Sequence, residues 1–281
     1  SRGGRMLRSS ICIASARAFG GATDQAIGTA AGIDMLHNAF LVHDDIEDES
    51  ERRRGSPSLA ALHGVAAALN AGDALAILSL QPLLDNRVLL GPMLAWDILE
   101  EALRTARESV EGQALELGWR RENIVNLDTV DYLRMILKKT CWYTTIYPCH
   151  VGAIIGTRRR PETTPFIRFG FFLGAAFQIQ DDLLNLIGDE AGYGKERDGD
   201  LLEGKRTVML IRLFQDATAQ ERVRLTEVLA RPRQGRSPAD VRWIRQRMEH
   251  YGVIEYAQRL ANGLAGAAVA ESAVVFEGLP D

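Results

Sequence analysis

Residues Ala26–Asp48 read AIGTAAGIDMLHNAFLVHDDIED. The run stays apolar until its last turns, contains no proline and spaces its apolar side chains by three and four. That pattern predicts one long helix, with Asp24 as its N-cap. A helix apolar around most of its circumference is stable only when buried on nearly all sides. It is therefore expected to run through the centre of a helical bundle.

The flanking sequence continues in the same period. Leu59–Leu84, after Pro57, reads as a second helix, with Gly64 and Gly72 accommodated inside it. Pro92 opens a third, running to Leu117. Asp128 caps a fourth, Val130–Ile155, kinked at Pro148. Thr164–Ile187 is a fifth. The polar, glycine-rich stretch Gly188–Gly204 reads as a loop. Three more helices fill the remainder, interrupted between Arg231 and Pro238. The expected fold is all-α: a single-domain helical bundle over residues 1–281 around a central cavity, with roughly eight to ten helices and no strand.

Composition narrows the function classes. Of 281 residues, 46% are hydrophobic and 25% charged, enough apolar surface for a sizeable core. A net charge of -4 is not the footprint of a nucleic-acid binder, so any polyanionic partner has to meet a local basic site. Cys12, Cys141 and Cys149 have no CxxC spacing, which argues against a disulfide framework or a zinc site and for a reducing, cytoplasmic compartment. No uninterrupted apolar run of about 18 residues occurs, so no transmembrane helix is expected, and no signal peptide is visible.

Two acidic clusters carry the chemistry. The first, Leu41-Val42-His43-Asp44-Asp45-Ile46-Glu47-Asp48, ends the long apolar helix. Asp44 and Asp48 are four apart, so their carboxylates share a helical face and repel one another without a cation. Oxygen-only ligands in this arrangement suit magnesium, which keeps waters and shares diphosphate oxygens. Arg53, Arg54 and Gly55 follow, and arginine grips phosphate oxygens two at a time. The second cluster, Gln180-Asp181-Asp182-Leu183-Leu184-Asn185, again follows an apolar helical run, Phe171–Ile179. Beyond it come Lys195, Asp198, Asp200, Lys205 and Arg206. Either cluster alone also reads as a solvated helix end. Together, facing each other across a bundle, they make a cage for cations that bridge to a diphosphate.

These motifs resemble the trans-isoprenyl diphosphate synthases, the polyprenyl synthetase family, along nearly the whole chain. Met35–Asp48 with Arg53-Arg54-Gly55 looks like the family's first aspartate-rich region, and Phe177–Leu186 like its second. Asn185 in the last motif position is similar to the geranylgeranyl diphosphate synthase branch. Gly112-Gln113, Lys138-Lys139-Thr140 and Gly204-Lys205-Arg206-Thr207 are further marks of the family. The resemblance implies an isoprenoid-synthase bundle, a homodimer, and a magnesium-dependent condensation of isopentenyl diphosphate with an allylic diphosphate. It implies magnesium ligands at Asp44, Asp48 and Asp181, with Asp45 and Asp182 close by. Arg53, Lys139, Lys195 and Lys205 would hold the allylic diphosphate, with Thr140 and Gln178 near the reacting centre. Arg54 and His37 would hold isopentenyl diphosphate, and His37 lies two helical turns before Asp44 on the same face. The family usually opens this second site with Gly-Gly-Lys-x-x-Arg; here Gly3-Gly4-Arg5-Met6-Leu7-Arg8 puts Arg5 in place of the lysine and Ser9 in place of the usual proline.

Side chains one turn before the first motif, Phe40 and Ala39, are expected to point down a product tunnel, with Phe40 as its stopper. The expected product is geranylgeranyl diphosphate, with farnesyl diphosphate next. Two other functions fit the scaffold: a terpene cyclase, which would need no isopentenyl site, and a non-catalytic partner subunit, which would be expected to lose aspartates. Arg5, Arg8, His37 and Arg54 argue against the first, and the two intact motifs against the second. His43 reads as a neighbour of the metal site rather than a ligand, and Cys149-His150 as core. Trp142, Tyr143 and Tyr147 read equally as pocket lining or packing. Arg158–Arg160 and Arg231–Arg236 read as solvated loops.

Overall fold

The computed structural model describes residues 6–188 and 198–279 of the chain. Arg5 and Lys195 lie outside the described residues. The helices are α1 (Leu7–Ala18), α2 (Thr23–Glu47), α3 (Leu59–His63), α4 (Val65–Leu78), α5 (Leu80–Leu89) and α6 (Pro92–Arg121). They continue with α7 (Thr129–Ile136), a π-helical segment (Leu137–Ile146), α8 (Tyr147–Thr157) and α9 (Thr164–Ile187). After the undescribed stretch come α10 (Gly199–Glu203), α11 (Val208–Asp216), α12 (Ala219–Leu229), α13 (Pro238–His250) and α14 (Val253–Val275).

Helix α2 is the expected central rod, although it begins before Asp24. Ala22 is the N-cap; the Gln25 side chain accepts from the Ala22 amide at 3.2 Å, and Asp24 sits in the first turn. Ala26, Ala30, Ile33 and Ala39 are buried along it. Each fully buried aliphatic side chain of Ile size contributes about 1.5–3 kcal/mol. Ile33 joins a core with Leu83 from α5, Ile98 from α6 and Ile154 from α8. A second, larger core gathers Ile136, Ile146, Ile179, Leu210, Leu213 and Val253 from the later helices.

Further expectations need correction, among them the loop Gly188–Gly204, which holds α10. Leu59–Leu84 is three helices rather than one, because Gly64 takes φ 81° and opens the chain between α3 and α4, and a further break falls at Ser79. The expected kink at Pro148 is replaced upstream by the ten-residue π winding of Leu137–Ile146. Proline's missing N–H would leave a gap in an α ladder, and here Pro148 sits at the start of α8, where that donor is not needed. Among the described residues four α-helices follow Gly204, not three. A short antiparallel ribbon, β1 (Arg52–Arg53) with β2 (Ser56–Pro57), also stands where no strand was expected.

Candidate active site

The elements meet around one cavity of about 450 Å³. Helix α2 contributes His37, Phe40, Leu41, His43, Asp44 and Glu47 to its wall, and α6 contributes Ser109, Gln113 and Leu117. The π segment adds Lys139, Thr140 and Tyr143; α9 adds Phe177, Gln178 and Asp181. Arg8, Arg53, Arg54 and Lys205 complete it. The two acidic clusters, far apart in sequence, thus supply Asp44 and Asp181 to a single space.

Local sequence explains how the cations reach it. In Arg53-Arg54-Gly55-Ser56 the strands pair Arg53 with Ser56, and the two turn residues have φ 51° (Arg54) and 75° (Gly55). Positive φ at both central positions is what a two-residue I′ hairpin turn requires, and Gly supplies one at no steric cost. The hairpin folds both arginines back over the end of α2. Arg53 Nη2 lies 2.8 Å from Asp44 Oδ2, and its Nε donates to Asp45 Oδ1 at 2.8 Å. In Gly204-Lys205-Arg206-Thr207, Gly204 makes a left-handed turn at φ 71° and Thr207 caps α11. Lys205 faces the cavity, whereas Arg206 turns inward to Ile124 O and Asn123 Oδ1.

The π winding puts Lys139, Thr140 and Tyr143 on the cavity side, and Thr144 beside Arg8. Insertions of this kind recur at functional sites. Lys139 pairs with the Glu116 carboxylate and lies 3.6 Å from Asp44 Oδ1. Thr140 donates to Gln178 Oε1 at 3.0 Å.

Behind Asp44, Asp48 is 1% exposed, paired with Arg120 and, at 2.7 Å, with Lys205. Burial pushes its carboxyl up, but Lys205, Lys139 and Arg120 outweigh that and hold it low. Asp182 lies behind Asp181 in the same way: its Oδ2 accepts from Tyr132 and its Oδ1 from Gln178, at 2.7 and 2.8 Å. Burial pushes Asp182 up to about 6. Asp45, also buried, is raised for the same reason and is held by Arg53. Asp44 and Asp181 therefore face the cavity, while Asp45, Asp48 and Asp182 do not line it. Asn185 is turned to its own chain, accepting from the Asp200 amide at 3.0 Å.

At the other end, Arg8 reaches His37 Nε2 at 3.2 Å and donates to Thr144 Oγ1 at 3.0 Å. Arg8 lies 4.7 Å over the Tyr143 ring, which also stacks with His37 and meets Phe40 edge-on at 5.6 Å. Burial, then Arg8, Arg54 and Arg53, press the His37 imidazole down to about 2. Phe40 lines the cavity; Ala39 is fully buried and does not.

Sequence reading missed several groups: Glu116, Arg120, Tyr132, Thr144 and Glu203. Each acts by holding a named site residue, and only the three-dimensional neighbour reveals it. Tyr143, read as pocket or packing, lines the cavity, while Trp142 and Tyr147 are buried. Arg231–Arg236 is not wholly a solvated loop, because Arg233 pairs with buried Glu203, and Arg236 donates to Leu229 O at 2.8 Å.

The donor set suits a hard cation. Among the described residues, no three Asp, Glu, His or Cys side chains converge on one point. Asp44 and Asp181 can each offer a carboxylate, and magnesium needs only one or two when phosphate oxygens and waters complete its shell.

The chain is similar along nearly its whole length to known proteins. The polyprenyl synthetase family model matches residues 1–248. The short chain isoprenyl diphosphate synthase of Methanothermobacter thermautotrophicus is 33% identical over 266 residues, 92% of this chain and 77% of that one. The octaprenyl diphosphate synthase of Escherichia coli is 29% identical over 282 residues, 100% of this chain and 82% of that one. The crystal structure of geranylgeranyl pyrophosphate synthetase from Pyrococcus horikoshii superposes with TM-score 0.84 at 31% identity, covering 99% of this chain and 81% of that one. A cavity walled by two aspartate clusters, in a helical chain matched almost end to end by these enzymes, belongs to a prenyltransferase of the polyprenyl synthetase family.

Proposed function

We propose that the chain condenses isopentenyl diphosphate with an allylic diphosphate to make geranylgeranyl diphosphate, with farnesyl diphosphate the next candidate. The observation that carries this reading is the single cavity that has Asp44 on one wall, Asp181 on the other, and Arg53, Lys139 and Lys205 beside them. The allylic diphosphate sits among those three cations, with Thr140 and Gln178 nearest its first carbon. Asp44 and Asp181 would hold magnesium, with Asp48 joining them only by giving up its pairs with Arg120 and Lys205, and the ion would supply charge neutralisation for the departing diphosphate. Arg53, Lys139 and Lys205 stabilise the same charge as the carbon–oxygen bond breaks. Arg8, Arg54 and neutral His37 hold isopentenyl diphosphate so that its double bond reaches the allylic cation. A proton then leaves the new chain for the released diphosphate. Phe40, Leu41, Leu117 and Phe177 exclude water that would quench the cation.

Phe40 fits the role of product stopper, because it meets Tyr143 edge-on in the cavity wall. Three free, buried thiols support a reducing compartment such as the cytoplasm. Val65–Leu89, α4 and α5 taken together, has the length and apolarity to cross a membrane, and most of its surface is exposed. Ala68, Gly72, Leu83 and Asn86 seat it on the bundle. Ile77, Val88, Met93 and Trp96 are 70%, 86%, 75% and 65% exposed along α4–α6. We assign this apolar face to a second copy of the chain, since exposed patches of this kind mark association surfaces.

The test is to supply isopentenyl diphosphate, magnesium and each allylic primer in turn, then weigh the dephosphorylated products. A linear prenyl alcohol supports the proposal and gives its length. A cyclic hydrocarbon formed without isopentenyl diphosphate would point to a cyclase instead.

A further inference from the structure

Glu203 ends the short helix α10 and is only 8% exposed. Its two carboxylate oxygens face different ways. Oε2 lies 2.8 Å from Lys205 Nζ. Oε1 accepts from Arg233 Nη1 at 3.0 Å and from Ser50 Oγ at 3.2 Å. Ser50 follows the aspartate-rich end of α2, its amide donating to Asp45 O at 2.9 Å. One buried carboxylate therefore joins the exit of the first aspartate cluster, the segment carrying Arg233, and the lysine of the Gly204–Thr207 turn.

Lys205 is shared. Besides Glu203, it pairs with Asp48 at 2.7 Å and Asp200 at 3.7 Å. Asp48 also holds Arg120. Asp48, Asp200 and Glu203 thus face Lys205, Arg120 and Arg233, three formal charges against three. Buried charges are tolerable only when paired in this way. Glu203 and Asp48 hold the Lys205 ammonium at hydrogen-bond distance, while Asp200 stands further off at 3.7 Å.

We propose that Glu203 is a positioning residue that keeps the Lys205 ammonium aimed into the cavity and ties that aim to the end of α2 through Ser50. It touches no reacting atom. The inference rests on the reading of Lys205 as a ligand of the allylic diphosphate, and it adds a determinant that neither aspartate motif contains.

The experiment is calorimetric binding of inorganic diphosphate in magnesium buffer to the full chain, with steady-state kinetics alongside. Lys205→Met establishes what the lysine contributes. Glu203→Gln keeps the shape and removes the charge. The proposal expects Glu203→Gln to weaken diphosphate binding and raise KM for the allylic primer, each by about tenfold, a single charge-assisted hydrogen bond's worth. KM for isopentenyl diphosphate stays unchanged. Ser50→Ala, which leaves every charge in place, shifts both quantities the same way by about threefold. Weaker binding in Lys205→Met with wild-type binding in Glu203→Gln and Ser50→Ala would overturn the proposal. Equal losses for both substrates in Glu203→Gln, as general damage would give, would also overturn it. Wild-type binding in Lys205→Met would instead overturn the role of Lys205 itself.

Discussion

A Cβ built on Gly112 of α6 would stand 2.7 Å from Lys139 Cα and closer still to the Lys139 main-chain nitrogen. The two backbones touch, and the contact sets how far the π segment leans into the cavity. Because main chain cannot rotate aside, Gly112→Ala should destabilise the fold by about 1–3 kcal/mol and displace Lys139 from Glu116 and Asp44. Thermal unfolding and kcat/KM measure both losses. Gly72→Ala is the comparison: its Cβ would meet the imidazole of His43, a side chain that can swing, so its loss should be the smaller of the two.

Phe40→Ala should lengthen the product. The substitution removes the ring that meets Tyr143 while leaving the diphosphate end untouched. Product mass should rise by one or more isoprene units, with kcat/KM for the first condensation little changed. Ala39→Gly, at a buried position off the cavity wall, should leave product length as it was.

Asp182 carries a pH signature. Its pKa rises from 3.8 to about 6, burial being the largest cause. The folded chain thus binds this proton more tightly than the unfolded chain. The stabilisation is complete below 3.8 and is lost as pH rises through about 6, on the order of 2–3 kcal/mol. Asp182→Asn keeps the size and abolishes the titration. With chelator present, its stability relative to wild type should therefore climb from pH 4 to pH 7 in denaturant titrations. A constant difference would contradict the assignment.

Much of this was legible in the sequence. The apolar run ending in Asp44-Asp45-Ile46-Glu47-Asp48 fixed a buried rod with a charged tip, and α2 is that rod. Spacing put Asp44 with Asp48, and Asp181 with Asn185, on shared helical faces, but of these only Asp44 and Asp181 line the cavity. Spacing did not show that Asp48 and Asp182 would sit behind them, because that depends on Arg120, Lys205, Tyr132 and Gln178 arriving from other helices. The π winding was hidden for a similar reason: it is a matter of hydrogen-bond register, which the composition of Leu137–Ile146 does not carry. The hairpin at Arg53-Arg54-Gly55-Ser56 was too short to show strand alternation, although its Gly55 was a turn signal.

Cys12, Cys141 and Cys149 are each at most 1% exposed, and burial raises all three thiols. Reaction depends on the thiolate and on access. A thiol reagent should therefore modify none of them quickly in the folded chain, and all three once denaturant is added. Rapid modification of a native thiol would contradict the packing of α1 on α8 or of the π segment on α9.

The reading of the cavity as a site of condensation is tested by comparing incorporation of labelled isopentenyl diphosphate by wild type, Asp44→Asn and Asp181→Asn, with circular dichroism to confirm that each remains folded. Wild type should form carbon–carbon bonds in a magnesium-dependent way, with a fall of about a thousandfold or more when either cavity-facing carboxylate is neutralised. Incorporation at the wild-type rate by either folded variant would contradict it.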